Sequence, residues 1–70
     1  MIGLTARQTE LLKFINGYIG KHGLAPTVQE MATGLGLKFK GGVVLLLRGL
    51  EERGAIRRLP HRRRAIEVLT

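Results

Sequence analysis

The sequence predicts a small α+β domain of three helices followed by a two-stranded antiparallel hairpin. Three observations carry that expectation. Two Thr-x-x-Gln/Glu boxes, Thr5-Ala6-Arg7-Gln8 and Thr27-Val28-Gln29-Glu30, each open a stretch with apolar residues at helical spacing. Glycines at 23, 34, 36 and 54 punctuate the first three segments. Beyond Gly54 the apolar pattern shifts to alternation around a Pro60 break, which fits short strands better than a fourth helix.

The first helix is expected from about Ala6 to Lys21. Thr5 can accept from a backbone N–H while Gln8 reaches back to the cap, and Leu11, Leu12, Ile15, Tyr18 and Ile19 form one apolar stripe. Gly23 can take the left-handed conformation that ends it, with His22 near the negative end of the dipole. Gly17 and Gly20 weaken it, each by up to about 1 kcal/mol relative to Ala.

The second helix starts after Pro26 with Thr27 as cap and Glu30 at the third helical position. Met31, Ala32 and Leu35 can face the core, and the helix is expected to end around Thr33-Gly34, with Gly34-Leu35-Gly36 as a tight turn. The third helix is expected from Gly41 or Gly42 to Arg53, stopped by Gly54. Two short helices joined by a tight Gly-containing turn make a helix-turn-helix. Ala55 to Leu59 and Arg64 to Leu69 then pair around an arginine-rich tip. A lone hairpin is marginal in water, so it must pack on the helices.

The whole chain, residues 1–70, reads as a single domain, winged helix-turn-helix in order. Seventy residues carry 12 Lys+Arg, 5 Asp+Glu and no cysteine, which leaves neither a disulfide framework nor a Cys-based metal site. The longest apolar run, Val43 to Leu47, is too short to span a membrane, and the start lacks the pattern of a secretory signal. A cytoplasmic, nucleoid-associated protein is expected. The charge is uneven. Residues 1–35 hold three basic side chains against two acidic ones, whereas residues 36–70 hold nine against three. A basic half on a small domain is the electrostatic footprint of a phosphate partner, or of a solvated face.

Leu4-Thr5-Ala6-Arg7-Gln8, the Pro26-Thr27 helix start, Leu35-Gly36-Leu37 and the run from Leu50 to Pro60 together resemble the N-terminal DNA-binding domain of the LexA family, the bacterial SOS-response repressors, and most of all its alphaproteobacterial forms. The likeness covers nearly the whole chain, with the motifs in the same order and spacing. It implies a winged helix-turn-helix transcription regulator on double-stranded DNA, its third helix in the major groove and its wing on backbone or the adjacent groove. Nothing in the chain corresponds to that family's C-terminal domain of Ser/Lys self-cleavage and dimerisation, so no protease activity is implied.

One stretch departs from the family. Where its third helix opens with mostly polar residues, this chain reads Phe39-Lys40-Gly41-Gly42-Val43-Val44-Leu45-Leu46. At about 100° per residue, Val43, Leu46, Leu47 and Leu50 form one stripe. Val44, Arg48, Gly41, Glu52 and Leu45 fall on the opposite side, at roughly 100° to 200° from Val43. Base reading needs donors and acceptors, and Val and Leu can touch only a thymine methyl. Three readings stay open. Val44 and Leu45 are extra core; or Phe39, Val44 and Leu45 form a patch for a protein partner or self-association; or they meet DNA while Lys38, Lys40 and Arg48 hold phosphates.

The candidate DNA contacts are therefore Thr27, Gln29, Lys38, Lys40, Gly41, Arg48, Arg57, Arg58, Arg62, Arg63 and Arg64, with Phe39, Val44 and Leu45 as the alternative protein interface. The rival function is a protein-interaction module on the same scaffold, an antirepressor or a factor binding the transcription machinery. No acid/base pair, nucleophile set or phosphate-cradling loop is present, and Gly41-Gly42 lacks the Lys-Ser/Thr of a P-loop. His61 reads as a solvated turn residue. No enzyme activity, cofactor, metal or small-molecule substrate is expected.

Overall fold

In the computed structural model, which describes residues 3–59 and 66–69, the helices are α1 (Ala6–His22), α2 (Val28–Leu35) and α3 (Lys40–Glu52). Strands β1 (Ile56–Arg58) and β2 (Ile66–Val68) follow, antiparallel, with Ile56 opposite Val68, Arg57 opposite Glu67 and Arg58 opposite Ile66. Both capping boxes form. The Gln8 and Glu30 amides donate to the Thr5 and Thr27 hydroxyls at 3.2 and 3.1 Å, and their side chains accept from the threonine amides at 2.9 and 2.7 Å.

The helix ends follow from backbone accounting. Gly23, at φ 78°, donates to Ile19 and closes α1 with one left-handed turn. Gly36, at φ 71°, donates to Thr33 while Leu37 donates to Ala32, a paired arrangement that satisfies the last carbonyls of α2. Gly54 and Ala55 repeat it on Glu51 and Leu50 at the end of α3.

Leu11 and Ile15 of α1, Met31 and Ala32 of α2, and Val43, Leu47 and Leu50 of α3 form one buried cluster with Ala55 and Ile56. Ile66 and Val68 pack on its edge, and the Leu69 amide donates to the Ala55 carbonyl at 2.8 Å. The hairpin is thus attached to the helices through side chains and backbone alike. No helix among the described residues is long and apolar enough to cross a membrane.

Most boundaries lie within a residue or two of the expectation, and two of the shifts bear on the helix-turn-helix. α2 runs past Gly34 to Leu35, because Gly34 serves as a packing site: a Cβ there would lie 2.4 Å from Cε1 of Phe14 on α1. The turn is made by Gly36 instead. α3 begins at Lys40 rather than at Gly41 or Gly42; Phe39 is its cap residue and gives no side-chain hydrogen bond.

Candidate nucleic-acid interface

The start of α2 is fixed from two sides. Glu30 accepts from the Thr27 amide with one carboxylate oxygen and from the Tyr18 hydroxyl of α1, at 2.8 Å, with the other. At the far end, Arg7 of α1 donates to the Leu35 carbonyl at 3.2 Å. Both ends of the first helix of the helix-turn-helix are therefore tied to α1, while α2 packs on α3 through the core. Thr27 is half-buried and uses its hydroxyl oxygen as a cap acceptor; its own O–H remains able to donate outward. Gln29 is exposed, its amide 3.4 Å from the Thr33 hydroxyl.

α3 buries Val43, Leu47 and Leu50 and turns the other side to solvent. Lys38, Lys40, Gly41 and Arg48 are all exposed, and no acidic residue stands in the first turn. Phe39 is 78% exposed, Leu45 68% and Val44 36%. Leu45 is therefore not core, and Val44 sits at the rim of the stripe with most of its α3 neighbours on that side in water. The reading as additional core is excluded for Leu45 by its exposure, while Val44 stands at the margin of the core stripe.

The wing adds ion pairs of its own. Arg57 pairs with Glu67 directly across the strands, and Arg58 lies 3.6 Å from Glu51 on α3. All four side chains are well exposed, so each pair contributes at most about 1 kcal/mol and is easily exchanged for another anion. From sequence, Arg57 and Arg58 read only as phosphate contacts. Their acidic partners are hidden there because one depends on strand register and the other on how the hairpin leans on α3. Arg62, Arg63 and Arg64, with Pro60 and His61, lie outside the described residues.

The supports behind the interface are also invisible in the sequence. Spacing assigns Tyr18 to the apolar stripe and gives Arg7 no role; neither partner lies within one turn, so no local pattern reveals them. Gln8 is buried at 8% exposure, under Gly49 of α3, where a Cβ would meet its amide nitrogen at 2.3 Å. Among the described residues no cluster of metal-binding side chains occurs.

Three helices, a glycine-closed turn between the second and third, a paired wing and a cationic exposed face on α3 define a winged helix-turn-helix DNA-binding domain. The family model described as LexA DNA binding domain matches residues 1–65, and the chain belongs to that family. It is 52% identical over 66 residues to the LexA repressors of Rhodospirillum rubrum, Erythrobacter litoralis and Ruegeria sp., each match covering 94% of this chain. Those matches cover 26%, 28% and 27% of the relatives, so the chain spans about a quarter of their length.

Proposed function

We propose that this chain is the DNA-binding unit of a LexA-type transcription repressor and that it takes double-stranded DNA along α3 and the wing. The observation that carries the reading is the exposed outer side of α3, cationic at Lys40 and Arg48 with the exposed Lys38 in the turn before it, presented by a helix-turn-helix of a family defined by DNA binding. A recognition helix contacts base edges from its N-terminal residues while the preceding helix crosses the backbone. In that pose Lys40, Gly41, Val44 and Leu45 face the groove floor. Thr27 and Gln29, at the N-terminus of α2, face a phosphate, where the helix dipole favours negative charge. Arg57 and Arg58 exchange Glu67 and Glu51 for phosphates of the flanking backbone, and Arg62, Arg63 and Arg64 extend that contact. With one module burying roughly 600–1,000 Å², a single copy binds weakly, and operator affinity needs two copies on neighbouring half-sites.

The test is a salt titration on a short mixed-sequence duplex, read by fluorescence anisotropy. Each phosphate contact contributes about −0.9 to the slope of log K against log salt. A slope of several units supports the reading. Failure to bind any duplex at low salt overturns it, and leaves the alternative, a protein-interaction module using Phe39, Val44 and Leu45, as the function of the same face.

A further inference from the structure

We infer that α3 recognises its DNA through C5-methyl groups in the major groove, using Val44, Leu45 and Phe39 as apolar contacts around a close-approach point at Gly41. This inference rests on the proposed function, since it specifies which chemistry of the duplex that face takes.

Four observations point the same way. Val44, Gly41 and Leu45 share the outward side of α3, at roughly 100°, 160° and 200° from the buried Val43, so the glycine lies between the two aliphatic side chains. Leu45 and Phe39 are the two most exposed large apolar side chains among the described residues, at 68% and 78%. A Cβ built at the helical Gly41 meets nothing within 4 Å, as at Gly17 and Gly20 of α1, so no internal packing calls for glycine there; what sets Gly41 apart is its place on the exposed side of α3 between Val44 and Leu45. What its missing side chain does allow is close approach of the helix backbone to something outside the molecule. Finally, the surround is cationic. Lys38, Lys40 and Arg48 are exposed, and the acidic Glu51 and Glu52 on or beside the outward side lie six and seven residues past Leu45, about 9 and 10 Å along the axis, with Glu51 beside Arg58.

An apolar strip framed by cations fits a surface that offers apolar groups in the middle and anions at its margins. The major groove over A·T pairs offers both, with one thymine methyl per pair beside the polar edges of its floor and phosphates along both walls. Apolar side chains read the methyl directly, while the only polar groups beside them on this side of α3, Lys40 and Arg48, carry donors that can reach a guanine edge or a phosphate. Methyl placement therefore contributes a sequence preference of its own, separate from any donor contact.

The experiment removes only the methyls. Binding is measured on a short duplex built entirely of A·T pairs and on the same duplex with deoxyuridine replacing thymidine. A mixed-sequence duplex carrying cytosine or 5-methylcytosine, which restores a methyl at the same groove position, gives the reverse comparison. The account predicts tighter binding of each methylated partner, by roughly fourfold per methyl covered, the factor equivalent to about 0.8 kcal/mol per buried carbon. In Val44→Ala, and separately in Leu45→Ala, the thymidine/deoxyuridine ratio moves toward one while melting shows the variants folded. Gly41→Ala is expected to weaken both duplexes. Equal affinity for methylated and unmethylated duplexes, in a protein that binds both, overturns the inference and leaves DNA binding standing. If no duplex binds, both readings fall; a dimer seen by light scattering and abolished in Leu45→Ala then assigns the strip to self-association.

Discussion

Gly34 and Gly17 make opposite predictions for the same chemical change, and both are worked from the packing of α1. Replacing either by Ala brings a helix-propensity gain of up to about 1 kcal/mol. At Gly17 the new methyl meets nothing within 4 Å, so the gain should appear as net stabilisation. At Gly34 the methyl would stand 2.4 Å from Cε1 and 2.6 Å from Cζ of Phe14, so the ring or α2 must move. Overpacking of this kind costs about 1–3 kcal/mol, which exceeds the gain over most of that range. For a domain of this size, 1 kcal/mol moves Tm by roughly 4–8 °C. Thermal melting should therefore show Gly17→Ala above the parent and Gly34→Ala below it by several degrees. If α2 and not the Phe14 ring gives way, Thr27 and Gln29 shift with it, and Gly34→Ala then also loses DNA affinity on every sequence. A Gly34→Ala protein as stable as Gly17→Ala would refute the close packing of α2 on Phe14, and with it the positioning argument for the helix-turn-helix.

Three further outcomes follow from the same geometry. Thr27→Ala removes a cap and a candidate phosphate ligand, so it should cost about 1 kcal/mol in denaturant unfolding and weaken binding uniformly, while Thr27→Ser retains stability. Tyr18→Phe deletes the 2.8 Å bond to the Glu30 carboxylate; a loss on the order of 1 kcal/mol is expected, with no change in sequence preference. Replacing Arg62, Arg63 and Arg64 by Ala should weaken DNA binding and flatten the salt slope by about 0.9 for each phosphate no longer neutralised; an unchanged slope would remove those residues from the interface.

The fold is legible in the sequence because its signals are local. Both capping boxes, the glycines at 23, 36 and 54, and the change of period after Gly54 are written within a few residues of the feature they create. What stays hidden depends on distant partners. Gly34 reads as a helix stop until Phe14 is seen beside it, and Gln8 reads as a surface cap until Gly49 is seen above it. The site divides along the same line. Helical periodicity separates the buried Val43, Leu47 and Leu50 from the outward Val44 and Leu45, but the amount of surface left open at Leu45 requires the packed neighbours. The ion pairs of Arg57 and Arg58 are invisible for the same reason, since strand register and hairpin lean are tertiary facts.

The central claim is that DNA meets α3 and the start of α2, and not the aromatic and basic side of α1 formed by Lys13, Phe14, Tyr18, Lys21 and His22. Amide chemical-shift mapping of the isotopically labelled chain, titrated with a short duplex, tests this most directly. The account predicts shifts concentrated at residues 27–29, 38–48 and the wing, with Lys13 to His22 nearly unmoved. Shifts centred on Lys13, Tyr18 and Lys21, with α3 silent, would contradict it.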